Sequence, residues 1–221
     1  AEGAIDAGDG RAFRDRHGIL ADATVLCVLP GSRRGEVSRL TPIARETLDR
    51  VMPDHPDVEI VIPAVANVRA LISDLVADWP WNVTIVDGAV ERYDAFAASD
   101  LALATSGTVT LELAWAGVPS LVMYKVPWLT GEIARRMIKV EYASIINIVA
   151  GREVLPEFLQ PRCRPELMAR TLAEFLKNPE RRDEIGAEAK RISRDLEPGG
   201  ERPSARAARA VLDIVTANRK G

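Results

Sequence analysis

The sequence predicts an α/β protein with a doubly wound, mostly parallel sheet and helices on both of its faces. From about Thr24 onward, short β-branched runs alternate with longer amphipathic segments, which is the pattern of repeated strand–helix units. The runs at 25–29 and 121–123 are continuously apolar, as expected for strands that are buried on both faces. After Glu153 the pattern becomes helical throughout, so a helical segment should follow the sheet.

The individual elements follow from this alternation in chain order. Strands are predicted at 24–29, 58–62, 83–86, 101–104 and 120–124, with a short last strand at 145–148. Helices are predicted at 37–52, 67–79, 93–98, 110–117, 130–140, 153–159, 165–177, 179–196 and 203–215. Pro165 and Pro179 occupy the first helical position of their helices, which proline favours.

The predicted organisation has three parts. Residues 1–23 form a tail or linker remnant that enters the domain, because 1–16 are rich in Gly, Ala and charge without a clear period. Residues 24–152 form the ligand-binding core, and 153–221 form a helical segment that packs on the core or on a partner domain. The first residue is Ala rather than Met, which suggests a processed product or a cut piece.

Composition excludes several classes of protein. The 221 residues are 47% hydrophobic and 28% charged, which is a globular composition. A net charge of -3 argues against general nucleic-acid binding. Cys27 and Cys163 have no second Cys or His at ligand spacing, which argues against structural zinc and a disulfide framework. No apolar run is long enough to span a membrane.

The first candidate loop, at 30–36, lies directly between the first strand and the next helix. Gly31 permits close backbone approach to a ligand, Ser32 can donate a hydrogen bond, and Arg33 can clamp phosphate oxygens. The alternative is a tight turn with solvated arginines. The spacing is neither that of a P-loop nor that of a dinucleotide fingerprint.

The second candidate loop follows the strand predicted at 101–104 and opens a helix. Ser106, Gly107, Thr108 and Thr110 offer hydroxyls and free amides that suit phosphate or ribose. Glu112, one turn after Thr108, could accept hydrogen bonds from two vicinal ribose hydroxyls. The alternative is simple helix capping by Ser106 or Thr108. The two loops together suggest a nucleotide whose diphosphate and ribose they share.

A third region combines aromatic, basic and polar residues. Trp128 precedes a helix with Arg135, Arg136 and Lys139 on one side, which fits a membrane surface, although its apolar stripe also fits a protein core. Asn147 lies in an apolar run and therefore requires a partner, either the backbone or a ligand.

No Asp-x-Asp metal motif occurs, so metal-free chemistry is favoured.

These motifs, in this order, resemble those of the lipid-A-disaccharide synthase family, bacterial inverting glycosyltransferases with two Rossmann-like halves, the GT-B architecture. The resemblance extends from about residue 24 to 215, which corresponds to the C-terminal half of that family. The motifs that carry it are Leu29-Pro30-Gly31-Ser32-Arg33, Gly35-Glu36-Val37, Ser106-Gly107-Thr108, Thr110-Leu111-Glu112, Tyr124-Lys125, Leu129-Thr130, Tyr142-x-Ser144, Asn147-Ile148 and Ala150-Gly151-Arg152.

The resemblance implies transfer of a sugar from UDP-2,3-diacylglucosamine to 2,3-diacylglucosamine 1-phosphate, with release of UDP in lipid A biosynthesis. This half would bind UDP, with Arg33 stabilising the leaving group, Glu112 holding the ribose and Asn147 contacting the donor or its diphosphate. The residues expected to bind substrate are Gly31, Ser32, Arg33, Ser106, Gly107, Thr108, Thr110, Glu112, Lys125 and Asn147.

The same resemblance implies the partners. The acceptor site and the proposed general base belong to the N-terminal half, which lies outside this sequence, so the chain alone is expected to be inactive. The enzyme would need no metal or cofactor, would work in the cytoplasm, peripherally on the inner membrane, and could form a homodimer. Two alternatives remain: a stand-alone nucleotide-binding or interaction module without catalysis, and another UDP-sugar enzyme of this architecture, such as an epimerase.

Overall fold

The computed structural model describes residues 8–125 and 141–196, which contain six strands and eight α-helices. The strands are β1 (Thr24–Leu29), β2 (Val58–Ala64), β3 (Val83–Asp87), β4 (Leu101–Thr105), β5 (Ser120–Tyr124) and β6 (Glu157–Leu159). The helices are α1 (Gly10–His17), α2 (Arg34–Asp49), α3 (Ala66–Val76), α4 (Ala89–Ala98), α5 (Thr108–Ala116), α6 (Ile145–Ala150), α7 (Pro165–Lys177) and α8 (Pro179–Asp195). Single 3-10 turns lie at Met52–Asp54 and Gln160–Arg162.

The six strands form one parallel sheet in the order β3-β2-β1-β4-β5-β6. The chain winds outward from β1 to β3, returns to β4 beside β1, and then winds outward the other way to β6. The sheet is therefore doubly wound, and the predicted fold class is confirmed. All strand carboxyl ends lie along one edge, with the reversal of winding between β1 and β4, where open α/β sheets bind ligands.

Both faces of the sheet are buried. Leu26 of β1 and Ile60 of β2 face a core shared with α2, α3 and α7. Cys27, the next residue along β1, faces the opposite side, where α4 and α5 pack. Since successive strand residues point to opposite faces, a strand covered on both sides is apolar at every position, which explains the runs at 25–29 and 121–123.

The N-terminal region corrects one sequence-based prediction. Residues 1–23 were expected to be a tail or linker remnant that enters the domain, but α1 lies within them and packs on α4. Its Phe13 is fully buried, and Arg14 donates to the carbonyl oxygens of Ala23 and Ala98, both at 2.7 Å. The sequence shows no apolar period here because a single apolar side chain is buried in α1, whereas its other contacts to α4 use charged side chains and the close approach of Gly10.

Two further predictions are wrong near the end of the sheet. The apolar run at 145–148 is the helix α6 rather than a strand, because Ser144 caps its first turn and Gly151, at φ +66°, ends it. The segment 153–159 is not helical. Its last three residues form β6, in which Phe158 lies opposite Met123 of β5. A three-residue strand is too short to show a period in the sequence.

Three helices begin two or more residues earlier than the apolar period indicates. Helices α2, α4 and α5 start at 34, 89 and 108 rather than at 37, 93 and 110. The connecting loops are correspondingly shorter, so the first turns of α2 and α5 reach the ligand-binding edge of the sheet.

Several predictions fall on residues that the structure does not describe. The helices predicted at 130–140 and 203–215 lie outside the described residues, as do Trp128, Arg135, Arg136 and Lys139. Within 8–125 and 141–196, none of the helices has both the length and the apolar character needed to cross a bilayer.

Candidate ligand-binding site

A cavity of about 360 Å³ lies at the carboxyl edge of the sheet, where β1 and β4 meet. Its floor is made by the last residues of β1 and β4, Leu29 and Thr105, and by Pro63 near the end of β2. Its walls come from the loops that open α2 and α5 and from Val65, which precedes α3. Three helix N-termini therefore meet at one cavity, an arrangement that favours a bound anion.

The loop after β1 requires glycine at its turn. Gly31 has φ +131°, and a Cβ there would lie 2.7 Å from the Cβ of Glu36, so a larger residue would displace that side chain. The Glu36 carboxylate accepts a hydrogen bond from the Ser32 amide at 3.3 Å. On the other side of the loop, Asn67 of α3 donates to the Ser32 carbonyl at 3.2 Å. The loop is thus braced by the two helices that flank it.

Arg33 is the residue immediately before α2, and its side chain lines the cavity. Its guanidinium donates to the Glu36 carboxylate at 2.9 Å, yet 81% of the side chain remains exposed. Arg33 is therefore accessible to a ligand at the cavity mouth. Arg34, the first residue of α2, does not line the cavity.

The loop after β4 delivers its polar groups without using them to cap the helix. The N-cap of α5 is Gly107, so the alternative of capping by Ser106 or Thr108 is wrong. The Ser106 hydroxyl instead donates to the carbonyl of Ala143 at 3.0 Å, which ties the loop to the segment before α6. Ser106, Gly107 and Thr108 all line the cavity.

Glu112 lines the inner wall of the cavity beside Arg92, a residue that sequence reasoning missed. The Arg92 Nη2 lies 3.2 Å from the Glu112 Oε2, and the two side chains are 27% and 19% exposed. Burial raises the pKa of Glu112, and the charge of Arg92 opposes that rise. Arg92 lies 20 positions before Glu112 in no recognisable motif, so no signal in the sequence pointed to it.

Two buried polar atoms of residues that line this cavity have no hydrogen-bond partner among the described residues: the Thr105 hydroxyl and the Arg92 Nε. The buried Oε2 of Glu112 makes no hydrogen bond of good geometry, but it lies within ion-pair distance of the Arg92 Nη2. Buried polar atoms are rarely left without a partner, since each loses its hydration without compensation. The two atoms without a partner belong to residues at the inner end of the cavity, which makes this part of the cavity polar.

Three of the predicted substrate-binding residues lie away from the cavity lining, and two of them are Thr110 and Lys125. Thr110 is fully buried, and its hydroxyl donates to the Gly107 carbonyl at 2.8 Å, within the first turn of α5. The Lys125 carbonyl accepts from Arg39 at 3.1 Å, and its side chain is close enough to Cys163 to lower that thiol's pKa against the larger, opposing effect of burial. Neither residue contacts the ligand-binding space in this structure.

Asn147, also predicted to bind substrate, is fully buried outside the cavity. Its Nδ2 donates to the Leu155 carbonyl at 2.7 Å and to Glu157 at 2.8 Å, while its Oδ1 accepts from the amides of Val154 and Leu155. Of the two partners that the sequence left open, the structure supplies the backbone, together with a buried carboxylate. Asn147 thus joins α6 to β6 and the turn before it.

The remaining candidate groups for chemistry are few. Within the residues that the structure describes, no three His, Cys, Asp or Glu side chains are grouped so that they could hold a metal ion. Burial raises the pKa of Cys27 to about 12, so its thiol stays protonated inside the core and is not a nucleophile.

The parallel sheet, its strand order and the cavity at the reversal of winding define a Rossmann-like domain of the kind that forms half of a GT-B protein. Solved structures share this fold. Sucrose-phosphate synthase from Thermosynechococcus elongatus matches 98% of this chain and 51% of its own, with TM-score 0.62 and 14% identity. UDP-GlcNAc 2-epimerase from Neisseria meningitidis, bound to UDP-GlcNAc, matches 84% of this chain and 48% of its own, with TM-score 0.54 and 17% identity.

Residues 6–211 match the model of the lipid-A-disaccharide synthetase family, and the chain belongs to that family. The lipid-A-disaccharide synthase of Rhodospirillum centenum is 43% identical over 97% of this chain and 54% of its own length. That of Ruegeria pomeroyi is 44% identical over 93% and 52%. The chain spans about half the length of these curated relatives, and the resemblance noted from the sequence motifs is confirmed.

Proposed function

We propose that this chain is the donor-binding half of a lipid-A-disaccharide synthase and that its cavity holds the UDP moiety of UDP-2,3-diacylglucosamine. Membership of the family supports the reaction, in which the sugar passes to 2,3-diacylglucosamine 1-phosphate and UDP is released. The single observation that carries the assignment is the cavity where β1 meets β4, lined by Arg33, by Glu112 and by the N-terminal ends of three helices.

The diphosphate lies between the loops that open α2 and α5. Arg33 supplies a cation at the cavity mouth, and the N-terminal amides of both helices supply partial positive charge. As the bond between the sugar carbon and the phosphate oxygen breaks, its electron pair goes to the diphosphate. Positive groups fixed at that position stabilise the developing charge more in the transition state than in the bound donor.

The nucleophile in this reaction is the acceptor hydroxyl. Its oxygen forms the new bond to the sugar carbon from the face opposite the leaving diphosphate, which inverts the configuration. Its proton goes to a general base that the family resemblance assigns to the N-terminal half of the enzyme. The residues of this chain therefore bind the donor and stabilise the leaving group.

The ribose lies against Glu112. A carboxylate accepts hydrogen bonds from two vicinal hydroxyls at once, and Glu112 is half-buried at the inner wall of the cavity, one turn into α5. The choice of uracil as the base of the nucleotide rests on the shared fold, since one protein of that fold is bound to UDP-GlcNAc.

Calorimetric titration of the chain with UDP, ADP and GDP tests this proposal. UDP should bind most tightly. Glu112→Gln should weaken UDP binding by roughly 10-fold and leave the affinity for inorganic pyrophosphate unchanged, because the substitution removes only a contact to the ribose. Glu46→Gln, an exposed position in the last half of α2, is the matched control. Equal affinity for the three nucleotides would contradict the proposal.

The surroundings of the complete enzyme follow from its substrates. Both carry acyl chains that reside in a bilayer, so we propose that the enzyme works at the cytoplasmic surface of the inner membrane, with the N-terminal half as its partner domain. A stand-alone binding module would bind UDP without an acceptor-binding half. An epimerase would need acid and base groups near the sugar. The charged residues that line this cavity are engaged in two ion pairs, Arg33 with Glu36 and Arg92 with Glu112.

A further inference from the structure

Arg92 connects two helices across the inner wall of the cavity. It belongs to α4, whereas Glu112 belongs to α5, and their side chains meet at 3.2 Å. The same Nη2 that faces Glu112 also donates to the Tyr93 hydroxyl at 3.1 Å, and the guanidinium carbon lies 5.0 Å from the centre of that ring. The guanidinium is thus held between an aromatic side chain and a carboxylate.

A carboxylate can accept from two hydroxyls only while it is ionised and correctly oriented. Burial works against the ionised form of Glu112, and a neighbouring cation works for it. Arg92 is the cation that contacts Glu112. The other charged groups lining the cavity, Arg33 and Glu36, pair with each other at its mouth, and Lys190 of α8 lies against Gly117 at the opposite end of α5.

We propose that Arg92 is a positioning residue for nucleotide recognition: it orients the Glu112 carboxylate toward the ribose and does not itself bind the diphosphate. The inference rests on the proposed function and deepens it. Two observations separate this role from phosphate binding. The Nη2 is already shared between Glu112 and Tyr93, and Arg92 lies on α4, not on either helix-opening loop assigned to the diphosphate.

The test uses the whole chain and two probes, each of which represents one part of the nucleotide. Uridine carries the ribose without phosphate, and inorganic pyrophosphate carries the phosphates without ribose. Arg92→Leu should weaken uridine binding about tenfold, measured by NMR titration, and should change pyrophosphate affinity less than about twofold. In the Glu112→Gln background, Arg92→Leu should add less than about twofold, because the residue through which it acts is already changed.

The pH dependence provides a readout that a merely structural role would not change. Removing the Arg92 charge raises the pKa of Glu112 further, so uridine affinity of Arg92→Leu should begin to fall at a higher pH than in the wild type as the solution is acidified. Arg92→Lys, which keeps the charge, should restore the wild-type profile. Glu112→Gln should bind uridine weakly without this titration.

The outcomes that would overturn the inference are distinct. A larger loss of pyrophosphate than of uridine would make Arg92 a phosphate contact. An equal loss of both that persists in the Glu112→Gln background would make it a structural residue. A wild-type chain that binds neither uridine nor UDP would instead refute the proposed function, whatever the effect of Arg92.

Discussion

Arg33 and Arg34 are neighbours in the sequence but differ in their position relative to the cavity. Arg33 lines the cavity, whereas Arg34 begins α2 and does not. Arg33→Ala should weaken UDP binding by at least about tenfold, since it removes a charge-assisted hydrogen bond to the diphosphate. Arg34→Ala is the matched control and should cost less in the same calorimetric titration. A larger loss from Arg34→Ala would mean that the loop presents the other arginine to the ligand.

The buried amide of Asn147 should matter for stability and not for affinity. Asn147→Ala leaves the buried Glu157 carboxylate without one donor and two backbone amides without their acceptor. The free energy of unfolding, measured by urea denaturation, should fall by roughly 2–3 kcal/mol. At urea concentrations below the unfolding transition, the affinity of Asn147→Ala for UDP should equal that of the wild type. Asn82→Ala, which removes an exposed hydrogen bond to Glu59, is the control.

If Asn147→Ala weakened UDP binding without lowering stability, the donor contact implied by the family resemblance would be restored. The sequence identified Asn147 as unusual because a polar residue in an apolar run needs a partner. The choice between backbone and ligand depended on the fold of residues 153–157, which no local pattern indicates.

At the scale of elements, α1 should contribute to the stability of the domain. Phe13 is fully buried in a cluster that includes Val25 of β1 and Val61 of β2. Phe13→Ala should therefore lower the free energy of unfolding by roughly 3–5 kcal/mol in urea. Arg11→Ala, an exposed position on the same helix, should change it by less than about 0.5 kcal/mol. An unchanged free energy of unfolding in Phe13→Ala would mean that α1 does not contribute to the stability of the domain.

The contact between α1 and α4 should also be sensitive to acid. Burial alone would raise the pKa of Asp94, but the backbone amide of Asp9 and the guanidinium of Arg16 together lower it below its usual value. The carboxylate thus stabilises the fold above the pKa of the unfolded chain, near about 4, and this contribution is lost as the pH falls through the lower folded value.

Asp94→Asn should therefore reduce stability at neutral pH and flatten its decline on acidification, measured as unfolding midpoints between neutral and acid pH. Asp57→Asn, at an exposed position in the turn before β2, should leave the slope unchanged. A slope that is the same in Asp94→Asn and in the wild type would show that another group controls the acid transition.

How far the sequence predicted each element depended on where its determinants lie. Helix α7 was predicted with its observed bounds because Pro165 marks its start and its apolar stripe is regular. The β-branched residues of α6 favoured a strand, but caps at Ser144 and Gly151 determine its conformation. The two loops of the site could be predicted because each directly follows a strand in the sequence. Arg92, in contrast, reaches Glu112 only through the packing of α4 on α5.

For the whole molecule, the proposed role as one half of a two-part enzyme predicts binding without turnover. The purified 221-residue chain should bind UDP but form no disaccharide from the diacylated donor and acceptor, because the acceptor site and the base are assigned to the other half and domain closure completes such sites. Mass spectrometry of the reaction mixture is the measurement. The corresponding full-length protein is the positive control, and full activity of the isolated chain would refute the half-enzyme interpretation.

The parallel sheet brings the positive ends of several helices to one place, and the Glu36 carboxylate partly neutralises the positive charge there. Its carboxylate accepts from the Ser32 amide and from the Arg33 guanidinium, two of the groups assigned to the diphosphate. Under the proposed function, the diphosphate would replace the Glu36 carboxylate on these two groups, so that binding would exchange one anion for another, as one counter-ion replaces another on a resin. Between substrates, the Glu36 carboxylate would keep the loop in the same conformation.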